Sequence, residues 1–171
     1  MKTVLGCDPS TKTGLAVVKN GEVVYTGRIE TSKEEDIHIR AARIVKGVEA
    51  LLDEYDVELV SIEGYAMNGG FTIIQMVTIG AMLRAAFFRK GVEWFEIPPK
   101  KLKQLITGKG TATKADMSQH VLRRFGIKPK NNDIADAIAL AMVGHHAYNL
   151  ETMSKSVGFV YASDVLETAG V

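Results

Sequence analysis

Four carboxylates occupy positions where a carboxylate is costly to keep. Asp8 closes the apolar stretch Thr3–Cys7 just ahead of a polar turn, and Glu63 closes Leu59-Val60-Ser61-Ile62 just ahead of a glycine-containing loop. Asp133 and Asp136 stand three apart in Asn132-Asp133-Ile134-Ala135-Asp136-Ala137-Ile138-Ala139-Leu140-Ala141, a spacing that puts both on one helix face. Carboxylates gathered into one cluster repel unless cations lie between them. An all-oxygen donor set suits Mg²⁺, and two such ions about 3.5–4 Å apart form the clamp used for phosphodiester cleavage. Taken singly, Asp8 before Pro9-Ser10 reads as the start of a turn, and Asp133 as an acid favoured at a helix N-terminus. Glu63 resists such a reading, because an acid that ends a buried strand needs a partner.

The elements that must position these acids are legible in order. Thr3–Asp8 reads as a buried strand, Pro9–Thr13 as a turn and Gly14–Lys19 as a second strand. Asn20-Gly21 is a strong hairpin signal, and Glu22–Glu30 alternates as a third strand. Ile37, Ala41, Ile44, Val45, Val48, Leu51 and Leu52 mark one face of a helix, and Glu58–Glu63 follows as a fourth strand. Phe71–Lys90 predicts a helix apolar on most sides, either fully internal or shared with a partner. Val92–Ile97 is a fifth strand, with Trp94 packed in it. Pro98-Pro99 opens a short basic helix, Thr107–Thr113 is a flexible loop, and Lys114–Phe125 and Asp133–Tyr148 are the closing helices. From Asn149 to Val171 patterning is weak, and Gly158–Ala162 is a strand or a segment packed on the core. The order predicts one α/β domain over residues 1–171, with a mixed five-stranded sheet of ribonuclease H-like architecture.

Net charge is +1, yet nine bases against one acid lie between Pro98 and Lys130: Lys100, Lys101, Lys103, Lys109, Lys114, Arg123, Arg124, Lys128 and Lys130 face only Asp116. That local excess pairs with phosphates, or balances the acidic stretch between Ser32 and Glu63. Lys109, flanked by glycines, is a mobile phosphate contact or a loop lysine. Cys7, the sole cysteine, excludes an intrachain disulfide and reads as a small buried hydrophobe. The start has no signal-peptide layout and no apolar run spans a bilayer, so a cytoplasmic location is expected. His145-His146 lie beyond reach of Asp136 and read as helix C-terminal caps.

With these features in place, the chain resembles the RuvC family of Holliday junction resolvases. The resemblance is carried by Leu5-Gly6-Cys7-Asp8-Pro9-Ser10-Thr11-Lys12-Thr13-Gly14, by Ser61-Ile62-Glu63-Gly64-Tyr65, by Lys103-Gln104 with Gly108–Lys114, and by Asp133-Ile134-Ala135-Asp136-Ala137, in order from about Val4 to His146. Pro9-Ser10 stands where relatives often have Pro-Gly. The resemblance implies Mg²⁺-dependent paired nicking of four-way or other branched DNA, with two ions per site, Mn²⁺ as a substitute, and 5′-phosphate and 3′-hydroxyl products. It implies Asp8, Glu63, Asp133 and Asp136 as metal-holding catalytic acids and Lys114 as the catalytic cation that neutralises charge on the phosphate. It implies Lys100, Lys101, Lys103, Lys109 and Lys114 as DNA contacts, and Tyr65 or Phe71 as the aromatic that stacks on a base or, equally, as a core residue. It further implies a homodimer, with 71–90 as the candidate interface, in the cytoplasm of a bacterium or, for a phage member, of its host cell.

Three alternatives are distinguishable. Another ribonuclease H-like nuclease would act on RNA or an RNA–DNA hybrid. A non-catalytic junction binder would keep DNA affinity without metal. Sugar kinases and actin-like ATPases also open with a strand, an acid and a turn, but they need two lobes, which 171 residues do not supply.

Overall fold

The computed structural model describes residues 2–65 and 71–149. The chain runs β1 (Val4–Asp8), β2 (Lys12–Lys19), β3 (Glu22–Glu30), α1 (Ile37–Glu54), β4 (Leu59–Glu63), α2 (Phe71–Lys90), β5 (Glu93–Ile97), α3 (Pro99–Thr107), α4 (Lys114–Phe125) and α5 (Asn132–Asn149). The five strands form one sheet in the order β3-β2-β1-β4-β5. β1 pairs antiparallel with β2 and parallel with β4, so the sheet is mixed, as the element order predicts. The expected strand within 158–162 falls outside the described residues.

The β2–β3 hairpin turns at Asn20 and Gly21, whose φ angles of 54° and 85° suit the mirror-image turn that an Asn-Gly pair favours. Strand β2 begins two residues earlier than Gly14, because Lys12 and Thr13 pair with Glu30 and Ile29. The turn after Asp8 is correspondingly shorter than Pro9–Thr13.

Side chains alternate across β1 and β4 and thereby feed two cores. Leu5, Cys7, Val60 and Ile62 join α1 and α2 on one face, where Trp94 also packs, 6.1 Å from the Phe87 ring. Val4, Leu59 and Phe95 join α3, α4 and α5 on the other. Cys7 is fully buried on the first of these faces, opposite its neighbour Asp8, and burial, then the Asp8 charge, push its thiol above the ordinary range.

Helix α5 lies directly on the sheet because both surfaces are nearly bare. A Cβ on Gly6 would stand 2.1 Å from the Ala137 carbonyl oxygen, and one on Gly14 would stand 2.1 Å from that of Asp133. No side chain fits at either point. The Ala-rich face of α5 and these two glycines therefore set how closely the acidic end of the helix approaches the sheet.

Candidate active site

The register of β1 and β4 brings the first two acids side by side. Cys7 pairs with Ile62, so Asp8 and Glu63 come next in step at the C-terminal ends of adjacent parallel strands. Both follow the alternation of Gly6 and Ser61 and face α5. The strand ends of a parallel sheet are a common place for ligands. Helix α5 supplies Asp133 in its first turn and Asp136 one turn on, beside the Gly6–Ala137 contact.

The four acids border a cleft of about 270 Å³, together with Ser10, Pro99, Lys103, Lys114 and Met117. Lys103 comes from α3. Lys114 opens α4, whose start is fixed by a reciprocal cap between Thr113 and Asp116. Sequence reading singled out all four acids and both lysines. Lys100, Lys101 and Lys109, by contrast, do not line the cleft; they lie on α3 and in the loop after it.

Electrostatics mark the cluster. Burial, then the neighbouring Glu63, Asp136 and Asp133, hold the Asp8 carboxyl well above its usual range. Glu63 is raised to about 7, first by burial and then by Asp136, against a hydrogen bond from Asp8 and the attraction of Lys103 and Lys114. Asp136 is raised to about 6 by burial, with Lys114 and Lys103 opposing. Without cations the cluster therefore relieves its repulsion by keeping protons. Among the described residues no group of three or more His, Cys, Asp or Glu side chains is arranged to hold a metal ion as it stands, and the four acids line a cleft. The donor set still fits a hard divalent cation: it is all oxygen, anionic when deprotonated, and partly solvated, as Mg²⁺ prefers.

Arg28 escaped sequence reading. Its Nη1 donates to Asp133 Oδ2 at 3.0 Å, across 105 residues of chain. Tyr65 lies under the Arg84 guanidinium, 4.5 Å from ring centroid to carbon, and its hydroxyl accepts from Arg84 Nη1 at 3.2 Å. Arg84 is in turn paired with Glu96 at 2.6 Å, so the root of the loop after Glu63 is tied to α2 and β5. The side chain of Phe71 lies outside the described residues. His145 approaches Gly21 at the far end of the sheet, and the His146 ring nitrogen lies 2.8 Å from the Met142 carbonyl oxygen, so neither reaches the cleft.

Comparison with known proteins identifies the family and the fold. The family model "Crossover junction endodeoxyribonuclease RuvC" matches residues 4–145. A protein of that name from Caldanaerobacter subterraneus subsp. tengcongensis is 33% identical over 156 residues, covering 86% of this chain and 94% of the relative. One from Clostridioides difficile is 29% identical over 170 residues, covering 92% and 98%. The structure of Thermus thermophilus RuvC in complex with Holliday junction substrate superposes with a TM-score of 0.75 at 25% identity, covering 87% of this chain and 95% of that one. The chain belongs to the crossover junction endodeoxyribonuclease RuvC family.

Proposed function

We propose that this protein is a metal-dependent, structure-selective endodeoxyribonuclease that resolves four-way junctions and other branched DNA by paired nicks. The observation that carries the reading is a single cleft in which four carboxylates meet two lysines, in a chain of this family. Asp8, Glu63, Asp133 and Asp136 would hold two Mg²⁺ ions, with Mn²⁺ as a substitute. Bound there, such ions would polarise a water and offset charge developing on the leaving 3′-oxygen. The chain's own residues do the rest. The walls formed by α3 and α4 confine the phosphate, and Lys114, with Lys103, neutralises charge on it or its neighbour. Lys100, Lys101 and Lys109 serve as outer phosphate contacts. The aromatic that meets an unpaired base belongs to the segment from Tyr65 to Phe71.

Paired nicks call for two sites, and a second copy of the chain supplies the other. Helix α2 suits that contact. It buries Ile79, Leu83 and Phe87 in the core it shares with α1 and the sheet, while Ile74, Val77 and Phe88 stay exposed on another side. No helix among the described residues is long and apolar enough to cross a membrane. We assign the activity to the cytoplasm of a bacterium or of a phage-infected host cell.

The deciding experiment incubates the protein with Mg²⁺ and a synthetic four-way junction, a linear duplex or an RNA–DNA hybrid, and resolves the products on a denaturing gel. Paired nicks in the junction, with 5′-phosphate ends, are expected. Cleavage of the hybrid alone moves the protein to another ribonuclease H-like activity. Junction binding without any cleavage leaves a non-catalytic binder.

Lys114 makes a separate prediction. Its charge lowers the carboxyl affinities for protons at Asp8, Glu63 and Asp136 alike. Lys114→Ala is expected to slow junction nicking about a hundredfold, the scale of losing one charge-stabilising donor. It is also expected to move the acid limb of the pH–rate profile upward, because the three carboxyls then hold their protons to higher pH. An unshifted limb would remove Lys114 from the cluster's electrostatics.

A further inference from the structure

Asp133 is reached from two directions. It lines the cleft on one side, while Arg28, which does not line the cleft, stands behind it and donates to its Oδ2 at 3.0 Å. Arg28 is itself fixed: its other guanidinium nitrogen is paired with Glu30, two residues along the same strand. The backbone explains why Arg28 can reach. It sits directly across from Gly14 in the β2–β3 ladder, and the absent side chain at Gly14 is what lets the Asp133 backbone settle over that point of the sheet. One glycine thus brings the acid down onto the hairpin and leaves room for the arginine of the neighbouring strand to meet it.

We infer that Arg28 is the positioning residue of Asp133, holding one carboxylate oxygen so that the acid presents the other to a cation in the cleft. This inference rests on the metal-dependent reading of the site. Carboxylates that ligate metals are commonly oriented by a hydrogen bond from behind, and loss of such a partner typically costs about 10–100-fold in metal affinity or activity. A cationic side chain so near would also repel a divalent ion, which works the other way. Glu30 decides between the two effects. Its carboxylate cancels the guanidinium charge seen from the cleft, so repulsion is largely removed while the geometric constraint stays. The forked guanidinium suits this double engagement, whereas an ammonium offers only a point charge.

The test is a Mn²⁺ titration of the full-length protein without DNA, followed by the electron paramagnetic resonance signal of free Mn²⁺. Wild type, Arg28→Met, Arg28→Lys and Asp133→Asn would be compared. Methionine keeps much of the apolar stem on an exposed edge strand, and thermal melts report whether each variant is folded. The expected result is Mn²⁺ affinity about tenfold weaker or more in Arg28→Met, partial recovery in Arg28→Lys, and little further loss when Arg28→Met is added to Asp133→Asn. The last comparison separates action through Asp133 from a general effect on the sheet. Unchanged or tighter Mn²⁺ binding in a folded Arg28→Met protein overturns the inference. Failure of the wild type to bind Mn²⁺ at all overturns instead the metal-dependent reading beneath it.

Discussion

Glu63→Gln is expected to lower junction nicking on the order of a thousandfold, roughly 4 kcal/mol of transition-state stabilisation, while making the metal-free protein more stable at pH 8. The two halves have one cause. Glu63 ends β4 level with Asp8 and faces Asp136 across the cleft, and its carboxyl is raised to about 7 by burial and by that neighbour. At pH 8 the folded protein must hold this group as an anion it would rather protonate. The distance from 4.5 to about 7 corresponds to roughly 3 kcal/mol of lost stability. Glutamine keeps the shape and removes the charge, so much of that cost disappears, about 2 kcal/mol after allowing for the buried amide. The same change removes an anionic ligand from a site that needs its charge to hold cations. Loss of activity with gain of stability cannot arise from misfolding, which makes the pair of readouts stronger than either alone. The measurements are a single-turnover nicking assay with saturating Mg²⁺ and urea melts in chelator. Retained nicking, or a variant less stable than wild type at pH 8, would remove Glu63 from the reacting cluster.

How far the sequence led can be traced through particular residues. Asp8 and Glu63 were legible because each ends an apolar strand, and strand ends in a sheet of this order converge. Asp133 and Asp136 were legible from helical spacing on an alanine-rich segment, and the closeness of that helix to the sheet follows from its small residues and from Gly6 and Gly14. Arg28 was not legible, for a definite reason. Counting outward from the turn, Lys19 pairs with Glu22 and Val18 with Val23, and continuing in that register would set Gly27 opposite Gly14. A bulge between Val17 and Val18 slips the ladder by one residue and puts Arg28 there instead. A one-residue slip sends every later side chain to the other face, so the strand pattern alone could not show which residue meets Asp133. Tyr65 was open between a base-stacking ring and a packed one. Its contact with Arg84 depends on a helix 19 residues away, which no local pattern encodes. The role of α2 also stayed open, because its apolar residues surround the helix, and only the fold shows that Ile79, Leu83 and Phe87 are covered while Ile74, Val77 and Phe88 are not.

The raised carboxyls make a further prediction, in which the order of effects with pH is fixed by sign. A carboxyl whose folded value exceeds its unfolded one binds its proton more tightly in the folded state. Stability is then full below the unfolded value and falls as pH rises toward the folded one. For Glu63 the window runs from 4.5 to about 7, and for Asp136 from 3.8 to about 6, with Asp8 raised in the same direction. In chelator, wild-type stability is therefore expected to decline from about pH 4 to about pH 7. His145 works against this trend, since burial lowers its affinity for a proton and its contribution grows as pH rises. The difference between wild type and Glu63→Gln at each pH removes His145 from the comparison and isolates the cleft. Mg²⁺ is expected to reverse the decline, because it takes over the role of the protons: at a hundred times its dissociation constant a bound ion adds about 2.7 kcal/mol. The benefit is expected to vanish below about pH 6, where protons hold the ligands. Nicking is expected to fade over the same acid range, so that stabilisation by Mg²⁺ and activity share one pH midpoint. Urea melts with and without Mg²⁺ across pH 4–8.5, beside the pH–rate profile, check this directly. A wild-type minus Glu63→Gln difference that stays flat with pH would mean that the Glu63 carboxyl is held up neither by burial nor by its acidic neighbours. Mg²⁺ stabilisation that persists unchanged at pH 5 would place the ion away from the four acids, since a site built from Asp8, Glu63, Asp133 and Asp136 must compete with the protons it holds.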